Sequence, residues 1–99
     1  MSIYVECALA DTVLPVHRGD QLLWSEAIAA PGTSDHAVPD ASLGLSRCVV
    51  TVTARSADAY VAFGEVPDAG DPDRRWLVEV GAPRTFEVPA GAKIAWVAV

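Results

Sequence analysis

The last 43 residues constrain the fold most. Residues 57–99 carry four short apolar runs: Tyr-Val-Ala-Phe-Gly, Arg-Trp-Leu-Val-Glu-Val, Arg-Thr-Phe-Glu-Val and Lys-Ile-Ala-Trp-Val-Ala-Val. Each is rich in Val, Ile or aromatic residues, which fit a pleated, half-buried surface. Between them fall an acidic Pro/Gly segment, Gly-Ala-Pro and Pro-Ala-Gly-Ala, where the chain is expected to reverse. This spacing predicts four consecutive strands. A chain of 99 residues then has room for one core with little margin, so the expectation is a single β domain over residues 1–99.

The first half supplies further strands. Residues 2–10 alternate strictly, with Ile3, Val5, Cys7 and Leu9 on one face and Ser2, Tyr4, Glu6 and Ala8 on the other, the period of a strand with one buried face. Residues 12–16 form a short second run in which Pro15 points to an edge or a bulge. Residues 21–30 suit either structure. Leu22, Leu23, Glu26, Ala27 and Ala30 make a helical face, with Asp20 as its cap, whereas Leu22, Trp24 and Ile28 make a strand face. In a chain otherwise built of strands, strand is the expectation. Residues 36–38 are a short edge-strand candidate within a long, weakly structured region, 31–44, that offers a contact arm. Residues 45–54 predict a clear strand, with Cys48, Val50 and Val52 facing one way and Val49, Thr51 and Thr53 the other. The fold class expected is all-β: a small β-sandwich or jelly-roll-like barrel of seven to eight mostly antiparallel strands.

Charge narrows the partners. The formal charge is −6, and Lys93 is the single lysine. This disfavours nucleic acid, whose phosphates need clustered Lys and Arg, and an anionic membrane surface. No apolar run approaches the ~20 residues that span a bilayer. The start, Met-Ser-Ile-Tyr-Val-Glu, lacks the basic and apolar regions of a signal peptide, so synthesis in a cytoplasm is expected. There Cys7 and Cys48 are expected to be small buried hydrophobes rather than a disulfide.

Candidate chemistry is sparse. Catalysis needs a nucleophile with its base, paired carboxylates or a metal set. The chain has two histidines, His17 and His36, both in predicted loops, and no Gly-x-Ser-x-Gly, His-Glu-x-x-His or phosphate-binding glycine loop. Cys48 alternates inward with Val50 and Val52, where a thiol is inert. The expectation is no enzyme, no catalytic residue and no cofactor. Asp68, Asp71 and Asp73 form the one metal candidate, a weak calcium site without the longer ligand series of a full calcium loop; a solvated hairpin tip is the expected reading. Arg18-Gly19-Asp20 spells the integrin tripeptide but is expected to be a plain turn. Trp24, Trp76 and Trp96 offer sugar-stacking faces, though two of the three sit among alternating apolar residues and are expected in the core.

Mean hydropathy is positive, and residues 93–99 are apolar on both faces. Such a strand has to be covered on both sides, either as a central strand touched by a neighbouring chain or at a subunit interface. Tyr4, His36, Val38, Leu43, Ala95, Val97 and Val99 are the interface candidates, and a homo-oligomer, trimer or dimer, is expected.

The order Ala-Tyr-Val-Ala-Phe-Gly, polar turn, Trp-Leu-Val-Glu-Val, Gly-Ala-Pro-Arg-Thr-Phe-Glu-Val-Pro-Ala-Gly-Ala-Lys-Ile-Ala resembles small virion proteins of tailed bacteriophages. The matching positions are Tyr60, Ala62, Phe63, Gly64, Phe86, Val88, Pro89, Gly91, Lys93, Ile94 and Ala95. They cover about the last 45 residues. The resemblance implies a β-sandwich, jelly-roll-like structural subunit on the virion surface, such as a capsid decoration or cement protein that binds across major capsid protein subunits and stabilises the shell. A carbohydrate- or receptor-binding β module, or a tail or head-completion component, is the alternative.

Overall fold

The computed structural model describes residues 2–10, 22–39 and 47–99. The expected strand at 12–16, the turn holding His17 and the Arg18-Gly19-Asp20 tripeptide, and Leu43 lie outside the described residues. The protein is an all-β sandwich of two four-stranded antiparallel sheets. In chain order the strands are β1 (Ile3–Ala10), β2 (Leu22–Ile28), β3 (Gly32–Thr33), β4 (Arg47–Ala54), β5 (Ala59–Gly64), β6 (Trp76–Val78), β7 (Arg84–Glu87) and β8 (Lys93–Ala98). Sheet A runs β2-β1-β4-β7 and sheet B runs β3-β8-β5-β6.

Period-two patterning builds the core. β1 pairs along its whole length with β4, setting Val5 opposite Val52 and Cys7 opposite Val50. In sheet B, Val61 faces Trp96 and Phe63 faces Ile94 across β5 and β8. The inward sides of both sheets interdigitate in one cluster that includes Ile3, Val5, Val50, Val52, Val61, Val78, Ile94 and Trp96, and their burial is the main favourable contribution to folding. The centre of sheet A's outer face is polar: Glu6, Thr51 and Thr85 lie across β1, β4 and β7, and the Thr51 and Thr85 hydroxyls hydrogen-bond at 2.9 Å.

Residues 22–28 are a strand, as β1 requires: Ile3 opposite Ile28 through Cys7 opposite Trp24. A bulge where β2 passes from Trp24 to Leu22 bends its first residues out of register. The expected strand over 75–80 is shorter. The Val80 N–H leaves the ladder to donate to Asp58 Oδ1 (2.9 Å), and the Ala82 N–H donates back to the Glu79 carbonyl (3.1 Å). That closes a turn whose third residue, Gly81, has φ +78°. The Pro89–Ala92 turn repeats the device, with the Ala92 N–H donating to Pro89 O and Gly91 at φ +84°. Both positions are left-handed, where glycine alone is unstrained.

Residues 36–38 do not form a ladder strand; β3, directly after Pro31, takes that place. The segment from Ser34 to Val38 does run beside the start of β8. Ser34 N–H donates to Ile94 O (2.7 Å), Val38 N–H donates to Ala92 O (2.8 Å), and Gly91 N–H donates to Val38 O (2.7 Å). Val38 is thereby drawn into the core.

Candidate functional site

Three places gather functional side chains. The first lies where β2 meets residues 34–38. Alternation along β2 turns Trp24 and Glu26 to the inner side, toward this segment. The Glu26 carboxylate accepts the Asp35 N–H (3.0 and 3.1 Å to its two oxygens) and the His36 N–H (3.1 Å), and His36 Nδ1 lies 2.8 Å from Oε1. The Trp24 indole N–H donates to Ala37 O (3.0 Å), and its ring stacks on His36 at 5.1 Å and 19°. Ser34 Oγ accepts from Ile94 N–H and donates to His36 O. The segment thus locks sheet A to sheet B along one side of the sandwich, and His36, although half exposed, is committed to this contact.

Partial burial pushes the Glu26 carboxyl up. The hydrogen bonds from Asp35 and His36, with the charge of His36, outweigh it and hold the group below its ordinary value of 4.5. A carboxyl lowered on folding contributes stability that is present above about pH 4.5 and is lost as pH falls through the folded value. We expect Glu26→Gln to remove part of the stability and to flatten its decline below pH 4.5. The cost is about 1–2 kcal/mol at pH 7, the scale of hydrogen bonds to a charged group. Denaturant midpoints measured from pH 3 to 7 test this; an unchanged pH dependence in the variant refutes it.

The second place is the outer face of sheet B, whose centre is apolar. Leu77, Tyr60 and Val97 stand in one cross-strand row over β6, β5 and β8. Leu77 is exposed and the other two are half-buried. Val99, 65 % exposed, extends the row past β8; Trp76, about half exposed, stands opposite Val61 and so turns to the other side of β6. Arg75 stacks its guanidinium 3.7 Å above Tyr60. At the open edge between the sheets, Trp76 packs on Phe86 (5.6 Å) and Phe86 on Phe63 (4.9 Å), with Arg84 about 5 Å from both the Trp76 and Phe86 rings. The same face is closed nearer β3: Ala69, in the loop after β5, packs against Ala62 and Ala95.

The third place is the acidic loop. Asp68 Oδ1 accepts the Gly70 N–H and Asp71 Oδ1 the Asp73 N–H, so two of the three carboxylates cap their own turns. Among the described residues no three of His, Cys, Asp and Glu gather as a metal-holding group.

The interface candidates therefore separate. Val38 and Ala95 are buried by their own chain. Tyr4 is half-buried on sheet A with Arg55 5.3 Å above its ring, and His36 is held by Glu26 and Trp24. Val97 and Val99 alone come together on one open face. Leu77 joins them there; it was missed because the run 75–80 predicts only a strand, and its signal as a surface was its place on the second apolar parity of that run. Of the tryptophans, Trp96 is buried in the core, Trp24 is hydrogen-bonded and stacked, and Trp76 presents much of its ring to solvent. Cys7 and Cys48 are buried thiols not joined in a disulfide, and the Cys48 thiol donates to Pro39 O at 3.8 Å. Burial, then the neighbouring Cys48, raises Cys7 to about 11, which leaves it protonated and unreactive at neutral pH.

Comparison of the chain with protein-family models, with curated proteins and with solved structures returns no match.

Proposed function

We propose that the protein works by adhesion and not by catalysis, as a structural subunit of a tailed-phage particle: a capsid decoration protein on the virion surface whose partner is the major capsid protein. The observation that carries the adhesive part is the Leu77–Tyr60–Val97 row with Val99 beside it, set on one face of a sandwich whose opposite face is polar at its centre. Exposed apolar patches on small domains mark contact surfaces. A centre of aromatic and aliphatic side chains with Arg75 and Glu79 at its margin has the make-up of an interface core and rim. The phage assignment rests on the strand-and-turn resemblance of residues 60–95, and the charge of −6 suits a basic partner surface.

Cosedimentation of the purified chain with empty capsids of tailed phages tests this. Saturable, stoichiometric binding is expected, and Leu77→Glu is expected to weaken it at least tenfold, equivalent to about 1.4 kcal/mol, with thermal unfolding close to that of the native chain. Failure to bind any capsid removes the virion reading. Binding to glycans that is lost in Trp76→Ala replaces it with the carbohydrate-binding alternative.

A further inference from the structure

Residues 34–38 form a strap between the sheets, and its parts are held in two different ways. The ends are buried and tied to sheet B. Ser34, 3 % exposed, donates its N–H to Ile94 O and accepts the Ile94 N–H on Oγ. Val38, also 3 % exposed, donates to Ala92 O, accepts the Gly91 N–H and sits in the core. Just beyond it, Pro39 O accepts from the Cys48 thiol. The three residues between these anchors bury little: Asp35 and His36 are exposed and Ala37 is half-buried. Their described ties to sheet A converge on two side chains of β2. Glu26 accepts the Asp35 and His36 N–H groups and has His36 Nδ1 2.8 Å away. Trp24 donates to Ala37 O and stacks on His36.

We propose that residues 35–37 are an acid-released latch, closed on sheet A while Glu26 is ionised and lifted from it, between fixed anchors at Ser34 and Val38, once Glu26 is protonated. Ordering these residues costs conformational entropy, and with so little surface buried the polar ties have to offset it. Hydrogen bonds to an ionised acceptor are roughly twice as strong as neutral ones. A protonated Glu26 loses its charge and turns an O–H into a site that holds N–H donors. The anchors feel none of this, because they rest on backbone bonds to Ala92, Gly91 and Ile94 and on burial. Of the charged groups around the latch, Asp35 and His36 belong to it, Lys93 lies between Ala92 and Ile94, and β1 sets the apolar Val5 opposite Glu26. His36 reinforces the closed state while Glu26 is ionised and has no counter-charge there once Glu26 is neutral. Burial raises the Glu26 carboxyl, and the bonds from Asp35 and His36 outweigh it and hold the group below 4.5. The latch is therefore closed above that pH and opens as pH falls through the lowered value. Opening uncovers the Trp24 ring, which with Phe63, Val88 and Ile94 lines an apolar seam between the sheets.

The latch does not depend on the capsid assignment, and its test uses the full chain. The Trp24 indole N–H bonds Ala37 O and does not touch Glu26, so its exchange reports movement of the latch and not merely the loss of the carboxylate's own bonds. Hydrogen exchange is followed by NMR at pH 6 and pH 3, each rate referred to that of an unstructured group at the same pH. Protection of the Trp24 indole is expected to fall about tenfold at pH 3, the scale of one hydrogen bond to a charged group. The Ser34 and Val38 amides and those of β1 and β4 are expected to keep theirs. Glu26→Gln is expected to show the low value at both pH values. His36→Phe, which keeps a ring on Trp24, is expected to retain the pH response. A Trp24 indole equally protected at pH 6 and pH 3 overturns the proposal. So does protection lost in step with Ser34 and Val38, or a pH response that His36→Phe abolishes.

Discussion

Replacing Trp96 with alanine is expected to cost about 3–5 kcal/mol, the range for large aromatic side chains emptied from a core. Trp96 is the largest fully buried side chain, at 0 % exposure. It stands on β8, the strand between β3 and β5, opposite Gly32 on one side and Val61 on the other. Removing it empties the middle of sheet B's inner face, where neighbours tied into ladders cannot collapse. Domains of this size commonly have only about 5–15 kcal/mol in total, so Trp96→Ala leaves a protein close to its unfolding threshold. Chemistry separates this from simple loss of volume, because the indole Nε1 is buried with no hydrogen-bond partner among the described residues. An orphaned buried donor costs about 1–3 kcal/mol. Trp96→Phe deletes that donor and keeps a ring, so its loss is expected to be less than half that of Trp96→Ala. Urea midpoints at matched slope measure both. Equal losses for Phe and Ala contradict the orphaned donor, and a native-like midpoint for Ala contradicts the role of Trp96 in the core.

The alternation of residues 3–9 and 48–54 was enough to predict β1 and β4 and their buried faces, because a strand with one wet side writes its burial at every second position. The turns at Gly81 and Gly91 were legible for the same local reason: only glycine accepts their dihedral angles without strain. β2 was not settled by its own residues, since Leu22, Leu23, Glu26 and Ala27 also fit a helical face; pairing with β1, a long-range contact, decides it. The Glu26 clamp was invisible because it joins groups nine and ten residues apart across a gap between sheets, and nothing local distinguishes that carboxylate from a solvated one. The two-faced apolar character of residues 93–99 did signal a doubly covered strand. At Ala95, however, the second cover is the chain's own loop. Alanines at 62, 69 and 95 carry little hydropathy signal individually, and their meeting depends on where a loop with no regular structure lies down.

That cover supplies the other large effect. Ala62, Ala69 and Ala95 are each buried to within a few per cent, with Val97 packed against them, so the centre of this contact is made of methyl groups. Arg75 holds the loop in place, with its guanidinium over Tyr60 and its Nη1 donating to Ala69 O at 3.5 Å, and the Asp71 N–H donates back to Asp68 O. Ala95→Leu forces three additional carbons into this contact. Overpacking of a tight site costs about 1–3 kcal/mol. The strand beneath cannot yield, because Ala95 is held between Thr33 and Ala62 in the sheet, so the loop has to lift. The expected result is a lowered urea midpoint together with faster amide exchange at residues 68–74, while amides of β1 and β4 keep their protection until global unfolding. Val99→Leu, further along the same face and 65 % exposed, is expected to change stability by less than about 0.5 kcal/mol. An Ala95→Leu protein with native stability and an equally protected loop shows that the loop does not lie on β8, and returns Ala95 to the surface available to a partner.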